Sequence, residues 1–128
     1  MDLQGVVVLA SEDCPEADPI TITRGHVLTR WTVWTDAAGN EHYASLTVTE
    51  FLGVGQSGTG YTMISRVHQN YLDSPALVGM FTTTWVSRQR LISHGAMPDQ
   101  YLDFIARTTI TPNGDVVAST WRLEIGCR

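Results

Sequence analysis

Arg66, His68 and Asn70 recur at every second position of one stretch, and Arg88 and Arg90 do the same in the next. In an extended chain a period of two puts alternate side chains on one face. Guanidinium, imidazole and amide groups from neighbouring strands would then converge, with Glu50 and Asp103 as acidic partners. Such a set can polarise a carbonyl or orient a polar substrate group. For an enzyme, the residues expected to carry the chemistry are Arg66, His68, Arg88 and Glu50. The same pattern also describes a solvated sheet face whose cross-strand pairs contribute about 0.2–1 kcal/mol each.

No other catalytic pattern competes with this one: the chain has no G-x-S-x-G, P-loop, C-x-x-C or H-E-x-x-H. His26, His42, His68 and His94 fall on different expected elements without metal-ligand spacing. Neither a metal site nor a cofactor is expected.

The apolar candidates are of a different kind. Met63, Val67, Met80, Phe81, Trp85 and Phe104 would line one continuous cavity if their strands share an interior, and Trp31 and Trp34 point to opposite faces, which leaves one of them at a mouth or exposed. Aromatic rings of this sort grip apolar ligands. Trp85 and Trp121 are expected in the core.

The elements that must position these groups follow from period-two alternation. Strands are expected over 5–10, 20–35, 41–52, 60–71, 76–92, 100–111 and 115–125, separated by breaks rich in Gly, Pro, Asp, Asn and Ser. A helix start at Pro98-Asp99 competes for the segment from Gln100 to Ile105. Its alternation with 115–125 favours a strand. Pro112-Asn113-Gly114-Asp115 is the strongest hairpin signal. With Thr111 opposite Val116, Leu102, Phe104, Ala106 and Thr108 share a face with Ser119, Trp121, Leu123 and Ile125, and a slip of one residue would send Trp121 and Leu123 to the wet side. Connections this short join antiparallel neighbours. The expectation is an all-β antiparallel meander closed into a small barrel of about seven or eight strands, a size whose interior is filled by side chains or holds one small ligand.

At 128 residues the chain is read as a single β-barrel domain over 1–128, with 2–19 as an N-terminal extension that includes one short strand. It is 43% hydrophobic and 16% charged, too apolar for disorder, and it holds no run near the roughly 18 apolar residues of a membrane span. A formal charge of -5 argues against nucleic acid. Every basic side chain is Arg, and abundant Thr favours strands.

Cys14 and Cys127 stand near opposite ends. A disulfide between them would tie the ends together and imply an oxidising compartment; the alternative is two unrelated buried thiols. Met1-Asp2-Leu3-Gln4 lacks the basic start and apolar segment of a signal peptide. The expected location is secreted or extracellular, with the chain a processed form carrying an added start Met.

The stretch from Arg90 to Gly95, the run from Leu102 through Pro112-Asn113-Gly114-Asp115-Val116, and the closing Leu123-Glu124-Ile125-Gly126-Cys127 resemble a family of small secreted β-barrel proteins of actinobacteria and related bacteria. In that family a strand, x-N-G-[DE]-V, strand, E-x-C ending recurs. The likeness runs mainly over 90–127 and extends weakly through 26–60. It implies a barrel and export, and it carries no catalytic residue across, since family members have no assigned activity.

Three roles fit these readings. The first is an exported binding module for a small apolar molecule or a protein partner. The second is a structural or assembly subunit of a cell surface, fibre or virion, with a homo-oligomer among the arrangements open to it. The third is a small barrel cyclase or isomerase.

Overall fold

Thr, Val, Ile and aromatic residues suit a pleated, half-buried surface, and the stretches rich in them form the strands. The computed structural model describes residues 1–8, 14, 18–73 and 81–128. Within these, β1 is Val7–Val8, β2 Ile20–Thr35, β3 Glu41–Gly55, β4 Gly60–Asp73, β5 Phe81–Ser93, β6 Gln100–Ile110 and β7 Val116–Cys127. They pair antiparallel in chain order as one seven-stranded sheet. The meander expected from the short connections is therefore present, and 100–110 is a strand, not a helix. Positions 9–10 and 76–80, also expected as strand, lie outside the described residues.

The sheet is a curled half-barrel. No β1–β7 pairing joins its two edges among the described residues, so curl falls short of the clear closure expected. Among the described residues β1 spans two residues against sixteen in β2. Residues 1–8 run along only the first half of β2, through Asp2 opposite His26 and Val7 opposite Thr21.

Turn chemistry repeats at three hairpins. In 111–115 the Thr111 amide donates to the Asp115 carbonyl at 2.9 Å, and the Gly114 amide donates to the Thr111 carbonyl at 2.9 Å. The same pair of bonds closes 36–40 and 55–59. The left-handed residue is Gly39, Gly58 or Gly114, with φ of 84, 84 and 86°. These are three-residue loops ending on a glycine, a standard hairpin solution. The hairpin expected at Pro112-Asn113-Gly114-Asp115 is therefore present, and of Asn113 and Gly114 only the glycine has positive φ. Register beyond that turn is as read, with Leu102 opposite Ile125, Phe104 opposite Leu123 and Ala106 opposite Trp121. A bulge puts Ile110, not Thr111, opposite Val116.

The core sits at one end, here called the base. Ile20, Ile22, Phe51, Tyr61 and Leu91 are buried, and Leu3, Val8, Met63 and Met97 pack against them. Cys14, fully buried, is bonded there to Cys127 with Cα atoms 5.7 Å apart. The far end, the rim, carries the turns at 36–40 and 111–115. It leaves Trp31, Val33, Val116, Val117 and Trp121 exposed. Trp85 and Trp121, expected in the core, are 42% and 71% exposed. Alternation placed them on the core-bearing face, but near the rim that face has no opposing layer among the described residues.

Candidate functional site

On the core-bearing face, which we call inner, every second residue climbs from the base into a trough. Leu91, Gln89, Ser87, Trp85, Thr83 and Phe81 follow one another up β5, flanked by Tyr71 of β4 opposite Thr83, and by Ala106 and Ile110 of β6 opposite Trp85 and Phe81. Phe104 and Leu123 face each other across β6 and β7. The hollow has a volume of about 700 Å³, inside the roughly 300–1,000 Å³ typical of small-molecule sites. Its walls include Tyr71, Phe81, Trp85, Phe104, Ile110 and Leu123. A smaller hollow of about 390 Å³ shares Tyr71 and Phe81 and adds Tyr43 and Asp73 at the rim.

Few polar atoms enter the trough. The Gln69 amide donates to the Tyr71 hydroxyl on one wall. Thr83 Oγ1 is buried with no hydrogen-bond partner among the described residues. A hydroxyl in that state costs about 1–3 kcal/mol relative to a satisfied one. At the rim the Tyr43 hydroxyl donates to Glu41 at 2.5 Å, which pushes its pKa above the usual tyrosine value.

Of the apolar residues singled out from sequence, Phe81, Trp85 and Phe104 meet in the trough. Met63 and Val67 share the inner face, but Met63 packs on the core below. Trp31 is on the inner face of β2, 61% exposed, and Trp34 is on the outer face, where its ring stacks on His42 at 4.9 Å. Met80 lies outside the described residues. Sequence reasoning missed Thr83, Ile110 and Leu123 as wall residues, although Thr83 and Ile110 continue the period-two series from Phe81 and Phe104 and Leu123 is the cross-strand partner of Phe104.

The polar candidates occupy the outer face, away from the trough. Arg66 stands opposite Arg88, Ile64 opposite Arg90, and Val86 opposite His68. Glu50 pairs with Ile64 one strand further over. No ion pair involves Arg66, Arg88 or Glu50 among the described residues. Asp103 is held instead by Arg90 in a two-bond fork of 2.9 and 2.8 Å. That guanidinium keeps the Asp103 carboxyl below its ordinary pKa, and the carboxylate raises that of Arg90. Next along the face, Arg90 and Arg128 lie over the Tyr101 ring at 5.6 and 4.8 Å, and Arg122 bonds Glu124 at 3.0 Å. Cross-strand and stacking pairs of this kind fasten a wet sheet surface. Among the described residues, no group of three or more His, Cys, Asp or Glu is placed to hold a metal ion.

Comparisons with family models, with curated proteins and with solved structures find no match to this chain. Among the described residues no helix is long and apolar enough to cross a membrane.

Proposed function

We propose that this chain is an exported binding module whose trough takes a small, largely apolar molecule carrying one hydrogen-bond acceptor. The supporting observation is the aromatic-walled hollow, lined in part by Thr83, whose buried hydroxyl has no hydrogen-bond partner among the described residues. Apolar walls supply most of the affinity through area removed from water, about 25 cal/mol per Å². One polar group fixes orientation. The Cys14–Cys127 disulfide is consistent with an extracellular location, and so is the resemblance to secreted bacterial barrels over 90–127.

A medium-chain 2-ketone and the alkane of equal length separate these contributions by titration calorimetry. Trp85→Ala is expected to weaken both at least about tenfold, roughly the 1.4 kcal/mol that a truncated aromatic wall forfeits, with the melting temperature unmoved because Trp85 is half-exposed. Thr83→Val should weaken the ketone alone. Saturable binding of neither probe, or equal binding by the Trp85→Ala protein, would overturn the proposal.

A further inference from the structure

Positive charge in this molecule is sorted by face. Every arginine within the strands points outward: Arg24 and Arg30 on β2, Arg66 on β4, Arg88 and Arg90 on β5, Arg107 on β6 and Arg122 on β7, all of them exposed. The inner face of the strands holds no arginine and carries Glu41 and Asp73 at the rim. Among the described strand residues, the carboxylates of the outer face are Glu50, Asp103 and Glu124. Two of them are engaged, Asp103 by Arg90 and Glu124 by Arg122. A chain of formal charge -5 thus has one basic face.

Folding does not account for this sorting. Arg66 stands directly opposite Arg88 on the neighbouring strand, and like charges so placed weaken a sheet. Asp103, opposite Arg88 on its other side, is held by Arg90, and Glu50 is only diagonal to Arg66. Between the charges the same face leaves apolar side chains in water: Leu28, Ile64 and Ile105 are 63%, 37% and 45% exposed. Ile64 is opposite Arg90, and Ile105 is opposite Arg122.

We infer that the outer face docks on a membrane surface rich in anionic phospholipid. A guanidinium fork matches two phosphate oxygens at once, and arginine stems lie along apolar surface while their heads reach for charge. Interfacial adsorption draws on apolar area set into the headgroup layer and on attraction between basic residues and anionic lipids. The outer face supplies both. A nucleic acid or acidic glycan would engage the arginines and leave Leu28, Ile64 and Ile105 wet. A folded acidic partner would need fixed carboxylates matched to arginines spread over five strands, whereas lipids diffuse to them. The convex curl puts the middle of the sheet foremost, where Arg66 and Arg88 face each other on β4 and β5. Asp73 lies about 23 Å up β4 from Arg66 at the usual strand rise, beyond the roughly 8 Å over which charges act at physiological salt.

Cosedimentation with vesicles of phosphatidylcholine alone, and of phosphatidylcholine with one third phosphatidylglycerol, tests this. The protein should pellet with the second and stay in solution with the first, and added salt should release it. Each arginine near such a surface is worth roughly fivefold in partitioning. Arg88→Gln should therefore lower the partition coefficient about fivefold, and Arg66→Glu, which reverses a charge, at least about tenfold. Arg66→Glu should leave the melting temperature no lower, since it sets opposite charges across from each other. Ile64→Ser should lower the coefficient about threefold through lost apolar contact. No pelleting with the anionic vesicles, equal pelleting with both, or equally tight binding to soluble poly-glutamate would overturn the proposal. So would a coefficient indifferent to both arginine changes or to Ile64→Ser. Ketone binding in the trough is independent of these residues, so either proposal can fail alone.

Discussion

Base and rim are built from the same strands, yet only the base behaves as a protein interior. Ile20 and Phe51 lie 1% and 4% exposed near the disulfide, while Trp31, on the same inner face of β2, is 61% exposed. The difference teaches that alternation assigns a residue to a face and a second layer decides whether the face is dry. At the base that layer is residues 1–8, Cys14 and the curl of the sheet. Near the rim nothing of the kind stands over the inner face among the described residues, and the trough is the result.

Breaking the base should produce the largest effect. Reduction of Cys14–Cys127 releases a loop of 113 residues, whose closure in the unfolded chain is worth up to about 5 kcal/mol by the chain-entropy model. Urea unfolding with and without reductant is expected to show a loss of about 2–5 kcal/mol. An unchanged midpoint would mean that packing alone holds the base. Next in size is a matched pair of truncations. Phe51→Ala should cost about 3–5 kcal/mol, since it leaves a cavity in a packed site, whereas Trp31→Ala should cost below about 0.5 kcal/mol, as an exposed side chain does. Similar losses from the two would erase the contrast between the ends.

The smallest effect concerns the rim itself. Asp36 accepts hydrogen bonds from His42 at 2.9 Å, the Asn40 side chain at 2.8 Å and the Asn40 and Ala38 amides. The His42 bond foremost, then those of Asn40, hold its carboxyl far below the ordinary 3.8. A carboxyl whose folded value is depressed contributes above its unfolded value, and the contribution fades as pH falls through the folded one. The 36–40 turn should therefore keep its amide protection through pH 3.8 and lose it only in stronger acid, while the base is unaffected. Carboxyl-carbon NMR of Asp36 checks this: titration at the ordinary value would show the turn held by its glycine alone.

Much of the fold was legible because its signals are local. Pro112 to Gly114 marks a turn by backbone preference, and the apolar series from Leu102 and to Ile125 fixes register without reference to any other strand. Two cysteines with no competitors left one pairing. The 35-to-41 hairpin was not assignable, because both faces of β2 mix apolar and polar residues; its register rests on the Asp36 hydrogen bonds. Site residues were harder. Arg66 and His68 alternate as neatly as Val67 and Gln69, so β4 alone does not say which series faces inward. The burial of Phe51 and Leu91 across the sheet decides it. Exposure of Trp121 was illegible for a related reason, since it depends on what lies across the inner face, and sequence alternation carries no information about that.

The bond between Cys14 and Cys127 closes the chain between them into one covalent loop. A single backbone cut in any hairpin between them releases no fragment: the two pieces stay linked, keep their neighbours in the sheet, and separate only when a thiol is added. Such a chain tolerates nicking at its tips as a ring tolerates being opened at one point, so its persistence in a protease-rich setting depends on the local redox state more than on how many turns are exposed.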